Sequence, residues 1–337
     1  MNGFPPWLPW RMPSFRLNAL PRGLIKALGC DGRGTIMASL VITANRLGDA
    51  VLSTGVIDHL ITTGRGPLTV ACGPVPTSLF EGVPGIARVI TVHKLSWSRH
   101  WLTLWAGTVQ QPWDTVVDLR GSALAWVLRA RHRRVWRAGS GHRVAEMARV
   151  IGVTPPPAPR VTPLPITPPA MPLLGLGPTA NFRGKQWPTD RFIALARALL
   201  AGPLAGAKVA VFAAPSERAQ AAAVLSAFPD ALDLIDTGNL RLVAGWLAAC
   251  RLFIGNDSGL MHLAAAAGAP TLGLFGPSPD ALYRPWGDHT SFVRTPEPSE
   301  ALWQRRKAEP RFEGHMMDSL TVAAAHAEAI DLLARTG

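Results

Sequence analysis

A chain of 337 residues has room for two domains, and a composition 48% hydrophobic and only 17% charged belongs to packed cores rather than to a disordered polymer. The formal charge of +12 raises nucleic acid, anionic lipid and phosphorylated glycolipid as partners, while the absence of any uncharged apolar run of 18 residues argues against a membrane span. Three cysteines, Cys30, Cys72 and Cys250, without C-x-x-C spacing support neither a disulfide framework nor a zinc site, which fits a reducing cytoplasm.

Residues 1–36 form a basic extension containing Pro5, Pro6, Pro9, Pro13, Pro21, Trp7 and Trp10, with a net charge of +4. Proline at that density forbids one continuous amphipathic helix. No apolar stretch leads to a small-residue cleavage site, so a secretory signal is not expected. The segment reads either as a membrane-contacting arm or as an upstream choice of start, since Met37 directly precedes the first strand.

From residue 37 to 153 strands and helices alternate. Strands are expected at Ser39–Thr43, Pro67–Cys72, Arg88–Val92, Thr115–Asp118 and Arg134–Trp136. Helices are expected at Ala50–Thr62, Thr77–Glu81, Trp97–Thr108, Ser122–Ala130 and His142–Ile151. Alternation of this kind builds a parallel sheet covered on both faces. Residues 120–143 carry seven arginines and no acid. Trp126 and Trp136 among them suit an interfacial surface, the alternative being a solvated basic helix face. Zinc-finger spacing, an RNP-like motif and a helix-turn-helix are missing, so nucleic acid is the weaker partner.

Nine prolines between residues 154 and 172 exclude helix and central strand and mark a semi-rigid linker. Residues 173–317 repeat the alternation, with strands at Leu173–Gly177, Lys208–Phe212, Leu232–Asp236, Arg251–Gly255 and Thr271–Phe275. Helices are expected at Asp190–Leu200, Glu217–Ala227, Leu240–Cys250 and Gly259–Ala267. A final helix, Ser319–Ala334 within residues 318–337, follows Asp318 as its cap. No G-x-G-x-x-G or Walker A sequence follows any strand, which removes hydride transfer and P-loop chemistry.

The segment Ile254–Gly276 is the most informative. It reads as strand, polar turn, small-residue helix and strand, so the helix N-terminus falls at the carboxyl edge of a parallel sheet, where free amides and the helix dipole attract an anion. Asp257 and Ser258 are good caps, Gly259 permits close backbone approach, and the amides of Ser258, Gly259 and Leu260 suit a diphosphate. His262 reads either as a ligand contact or as a packed helix residue. An aspartate pair at i, i+2 and a helical i, i+4 histidine pair with a partner glutamate are both absent, so a metal is not expected.

Three stretches, Ala44–Leu52 (A-N-R-L-G-D-A-V-L), Asn181–Pro188 (N-F-R-G-K-Q-W-P) with Arg191-Phe192, and Gly255–Leu263 (G-N-D-S-G-L-M-H-L), together resemble the signatures of glycosyltransferase family 9, the bacterial heptosyltransferases, in order and spacing. The resemblance implies a GT-B α/β architecture, two Rossmann-like domains facing across a cleft, with the acceptor held by the first domain and the nucleotide sugar by the second. The last helix would pack back toward the first domain. It implies an inverting, metal-independent transfer from ADP-heptose to a lipopolysaccharide core acceptor, with the ADP-sugar a substrate and no cofactor. The enzyme would be cytoplasmic, peripheral on the inner face of the cytoplasmic membrane.

Sugar transfer needs a base for the acceptor hydroxyl and a sink for the leaving charge. The resemblance assigns the first to Asp49, from R-x-x-G-D, although aspartate there would equally cap a helix beginning at Ala50. It assigns the second to Lys185, upstream of W-P. Thr179 and Asn181 could add hydrogen bonds from the same loop, which departs from the family's usual small-residue version. Glu217 resembles the family's ribose-contacting glutamate, and Asp257 is placed to accept from a sugar hydroxyl. Arg46 and Arg120 suit an acidic acceptor by position and charge. Another nucleotide sugar, or a noncatalytic nucleotide-sugar-binding protein, would leave the second-domain motifs unchanged.

Overall fold

The computed structural model describes residues 38–308 and 314–337. The basic extension 1–36, with the expectations placed on it, lies outside the described residues. Five strands form the first sheet: β1 (Ser39–Ile42), β2 (Leu68–Cys72), β3 (Ile86–Thr91), β4 (Trp113–Asp118) and β5 (Ala130–Val135). Their order is β3-β2-β1-β4-β5, with every pairing parallel. Six form the second: β6 (Leu173–Gly177), β7 (Lys208–Val211), β8 (Leu232–Asp233), β9 (Cys250–Asn256), β10 (Thr271–Phe275) and β11 (Thr290–Arg294). Their order is β11-β10-β9-β6-β7-β8, again parallel throughout.

Each order reverses once, between β1 and β4 in the first sheet and between β6 and β9 in the second. A crevice opens at the carboxyl ends of the strands at such a reversal, because the helices that follow leave on opposite faces. Hydrophobic runs buried on both faces, such as Ser39–Ile42 and Leu173–Gly177, supply the central strands.

The largest core cluster spans both halves, joining Val41, Val70 and Phe80 to Phe253, Met261 and Phe275. Residues 153–172 carry neither helix nor strand and lie along the junction. Val161 N–H donates to Ala266 O at 3.1 Å and Leu164 N–H to Arg241 O at 2.9 Å. Arg241 in turn donates to Thr162 O and to Glu81 O, at 2.8 and 2.7 Å.

Several elements differ from the sequence expectation. The helix expected over Ala50–Thr62 is two, Leu47–Leu52 and Thr54–Thr62. They break at Ser53, whose hydroxyl turns back to Ala50 O and pairs with Thr43 Oγ1, both at 2.7 Å. The arginine-rich helix shrinks to Leu124–Val127, and Arg131, Arg133 and Arg134 belong to the edge strand β5. Arg133 stops that helix by donating to the carbonyls of Ala125, Leu128 and Ala130. Strand β11 and the helices Asp280–Tyr283 and Ser299–Ala308 were not anticipated.

The last helix is Val322–Arg335, capped by Thr321, whose Oγ1 accepts from Ala324 N–H, rather than by Asp318. It packs on the second sheet, not back on the first domain: Ala325, Ala329, Leu332 and Leu333 share a core with Phe192, Leu195 and Leu199 of the Thr189–Leu200 helix. Its small residues face that helix closely, and Arg251 fastens its end through Leu333 O and Thr336 Oγ1.

Candidate active site

Both strand-order reversals open into one cavity of about 970 Å³, within the range of small-molecule sites. From the first half come Asn45 to Asp49, at the start of the Leu47–Leu52 helix. The second half contributes Asn181 and Lys185 after β6, Glu217 beyond β7, and Asp257 to Leu260 with His262 after β9. The two helix starts meet directly. A Cβ at Gly259 would lie 2.7 Å from Leu47 Cβ, and one at Gly48 would lie 3.0 Å from His262 Cδ2, so glycine at both positions is what lets the halves close here.

Asp49 does not cap its helix. The cap position is Arg46, which makes no side-chain cap bond, and Asp49 is the third helical residue. Its carboxylate is free of a capping duty and borders the cavity. Burial pushes its pKa above the ordinary carboxylate value, Arg143 and Arg46 hold it down, Asp257 adds a smaller upward push and Lys185 a smaller downward one. A buried carboxylate kept ionisable by flanking arginines is suited to taking a proton.

Lys185 Nζ donates to Asp257 Oδ2 at 2.6 Å, with the Asp257 side chain only 9% exposed. An ammonium has three donors, so two remain for a ligand. The loop that carries Lys185 is fixed by buried Asn256, whose Oδ1 accepts from Trp187 N–H at 3.0 Å and whose Nδ2 donates to Pro178 O at 2.8 Å. Trp187 is itself buried, its Nε1 donating to Leu320 O at 2.9 Å.

The Gly259–Ala266 helix starts without a side-chain cap. Ser258 occupies the cap position with its Oγ buried and unpartnered, and Asp257 is committed to Lys185. Its first amides therefore retain their capacity for an anion. His262, 5% exposed, also has an unpartnered buried Nδ1. Burial lowers its pKa to about 4, with Asp257 pulling the other way, so the ring is neutral near pH 7. An unfolded histidine takes up its proton near pH 6.5 and the folded one does not until about pH 4. Stability is therefore full above pH 6.5 and falls as pH drops toward 4, by on the order of 3 kcal/mol from this residue. Thermal melts from pH 7 to 4.5 should show a steeper loss for the natural chain than for His262→Gln; parallel losses would reject the assignment.

Thr179 and Arg120 do not line the cavity. Thr179 is buried and its Oγ1 donates to Glu217 Oε2 at 2.6 Å, so it orients the glutamate. Arg120 lies behind Asn45, donating to its Oδ1 at 3.2 Å, with its guanidinium 4.7 Å over the Trp101 ring. Other residues at the site have no signal in a local motif. Arg143 donates from Nε to the Tyr283 hydroxyl at 3.1 Å and sits 5.3 Å over both the Trp136 and Tyr283 rings. Trp136, expected on an interfacial surface, is half-buried in that sandwich. Ser278 lines the cavity with its buried Oγ unpartnered, and Trp303 lines it beside Arg306. Among the described residues no group of three His, Cys, Asp or Glu side chains is arranged to hold a metal ion.

Two parallel Rossmann-like sheets, with one cavity fed from the reversal point of each, define the GT-B architecture. Solved structures of that architecture superpose on most of the chain. Glycosyltransferase family 9 from Veillonella parvula matches with TM-score 0.71 at 20% identity over 88% of this chain and 97% of that one. The Escherichia coli heptosyltransferase WaaC solved with ADP matches with TM-score 0.67 at 18% identity over 88% and 100%. Residues 161–312 match the model of glycosyltransferase family 9 (heptosyltransferase). Lipooligosaccharide heptosyltransferase 2 of Haemophilus influenzae is 31% identical over 129 residues. That match spans 36% of this chain and 36% of the curated relative's length.

Proposed function

We propose that the protein is a glycosyltransferase that moves a heptose from ADP-heptose to a lipopolysaccharide core acceptor, with inversion and without a metal. The observation that carries this reading is the convergence, in one cavity, of a buried carboxylate from the first half with a cation and an uncapped helix start from the second. The relatives' names supply the sugar, and the ADP in a solved structure of the same architecture suggests the nucleotide.

In this reading Asp49 removes the proton from the acceptor hydroxyl as that oxygen attacks the anomeric carbon. The bond from the anomeric carbon to the diphosphate breaks on the opposite face, which inverts the centre. The departing charge is received by Lys185 and by the amides of Ser258, Gly259 and Leu260. Glu217, oriented by Thr179, and Asn181 hold the ribose side of the donor, while Asp257 and His262 border the sugar. Arg46 faces an anionic acceptor, and Arg120 fixes Asn45 at the rim of the acceptor side. Among the described residues no helix is long and apolar enough to cross a membrane. Action at the inner face of the cytoplasmic membrane is part of the same proposal.

A panel of nucleotide sugars incubated with truncated lipopolysaccharide acceptors tests the reading. ADP-heptose alone should be consumed, the product linkage should have inverted configuration, and EDTA should leave the rate unchanged. Consumption of a different nucleotide sugar reassigns the donor, and binding of donor with no turnover on any acceptor makes the protein a sensor.

A further inference from the structure

The first sheet has one face inside the core shared with the second half and one face that, among the described residues, is covered by two short helices. On that second face Leu104, Leu124, Ala125 and Leu128 pack with Leu40, Ile42 and Val116, in a cluster that contains no residue beyond 135. The helices bury just these few side chains. The helix His100–Ala106 points His100 and Leu104 inward and leaves Leu102 and Trp105 outside, three apart and on its opposite side. The helix Leu124–Val127 buries Leu124 and Ala125 and leaves Trp126 and Val127 outside.

The resulting exposure is large: Trp97 96%, Leu102 65%, Trp126 63% and Val127 59%, with Leu95 and Trp105 also exposed. Of the eight exposed large hydrophobic residues among those described, these are six. Trp97 and its neighbour Ser98 sit at φ 57°, a left-handed conformation unfavourable to an L side chain, so the turn holds a tryptophan in solvent at a local cost. Several large apolar side chains exposed over one face of a sheet mark an interaction face.

Its surroundings identify the partner. Exposed Lys94 and Arg99 precede the first helix, and exposed Arg129 and Arg131 follow the second, Arg131 sharing its side of the edge strand with Arg133, which bonds the carbonyls of Ala125 and Leu128. Between residues 82 and 145 the only acids are Asp114 and Asp118. Asp118 is fully buried and bonded to Ser122 and to the Arg120 amide, while Asp114 faces Arg65. Protruding tryptophan and leucine ringed by unopposed arginine and lysine match a bilayer with anionic headgroups, where indole suits the interface and each base gains from the surface potential.

We propose that the helices 100–106 and 124–127, which cover the same face of the first sheet, form with the Leu95–Ser98 turn the face by which the protein inserts into an anionic lipid surface. The face is joined to the cavity by one short relay: Trp101 lies under Arg120, and Arg120 holds Asn45 on the cavity wall. A glycolipid whose acyl chains stay in the bilayer beside Trp101 would thus present its sugars past Arg120 to the cavity. That last step rests on the proposed glycosyl transfer; the insertion itself does not.

The test uses the full chain and vesicles of phosphatidylglycerol with phosphatidylethanolamine. Joint replacement Trp97→Ser, Leu102→Ser and Trp126→Ser should weaken vesicle partitioning tenfold or more, with ADP affinity and transfer to a deacylated, water-soluble acceptor unchanged. A second variant, Arg129→Glu with Arg131→Glu, leaves the apolar surface intact and should weaken partitioning to the same degree through charge. A loss of less than tenfold in either folded variant, or failure of the natural chain to bind these vesicles, overturns the proposal. So does a dimer of the natural chain in sedimentation without lipid that the triple variant dissolves, because the face then belongs to a second copy. Loss of transfer to the soluble acceptor in the natural chain would count against the enzymatic reading while leaving the partitioning result intact.

Discussion

Replacing Asp49 with asparagine is expected to lower turnover roughly 10²-fold or more, the usual scale for a positioned acid-base group. The change keeps the size and polarity of the side chain and removes only its basicity. ADP affinity should stay within about twofold, since charge-assisted contacts to the diphosphate lie elsewhere. Asp49 is the third residue of its helix rather than the cap, so no capping bond is lost. Burial already disfavours the charged form, and the melting temperature should therefore be no lower than that of the natural chain. The pH dependence offers a second check. Activity should rise with pH through a step above the ordinary carboxylate range, because burial raises the pKa of Asp49. Arg143 is the strongest of the cations that hold it down, so Arg143→Met should move that step further toward alkaline pH. An Asp49→Asn enzyme with near-normal turnover on its true acceptor sinks the assignment.

Lys185→Ala is expected to weaken ADP binding by roughly 10- to 150-fold, which corresponds to the 1.5–3 kcal/mol of a charge-assisted contact. The structure adds a term that a lone cation would not have. Lys185 neutralises Asp257 across 2.6 Å, so its removal leaves a buried carboxylate uncompensated beside the proposed donor site, close enough to the diphosphate to repel it. Part of the loss is then repulsion. The double variant Lys185→Ala with Asp257→Asn should bind ADP more tightly than Lys185→Ala alone, a coupling that calorimetry on the four proteins of the cycle measures directly. Equal affinities for the single and double variants would place Asp257 away from the phosphates.

Most of the architecture was legible because it is written in local patterns. Strands such as Leu173–Gly177 and Thr271–Phe275 are short apolar runs bounded by turns, and both fall at the expected residues. The loops that follow β1, β6 and β9 were equally legible, since the residues after a parallel strand must appear at its carboxyl end. Legibility ended where the outcome depended on distant partners. Arginine is indifferent between helix and edge strand, so the strand expected at Arg134–Trp136 was too short and too late, and its extent over 130–135 is set by pairing with β4. Strand β11 is half-exposed along its length and exists by pairing with β10. The final helix could have packed on either half until the Thr189–Leu200 helix presented its matching face. Arg143 and Tyr283 are 140 residues apart in the chain, and only the meeting of the two halves brings them together. Thr179 had the right loop but not a place on the cavity wall, because Glu217 claims its hydroxyl.

The core shared between the two sheets also determines how the molecule can fail. Its residues are drawn from both halves, and the linker is laced into the same junction through Val161, Leu164 and Arg241. A truncation that ends in the linker would strip an apolar wall from whichever half survives, so neither half is a portable module. Heat should melt the two in one cooperative step, and damage to one sheet should be felt as lost abundance of the whole chain. Substitutions far from the cavity, at Gly55 or Gly245 where the linker backbone passes within 2.7 Å of a new Cβ, would thereby silence the protein through its lifetime in the cell rather than through its chemistry.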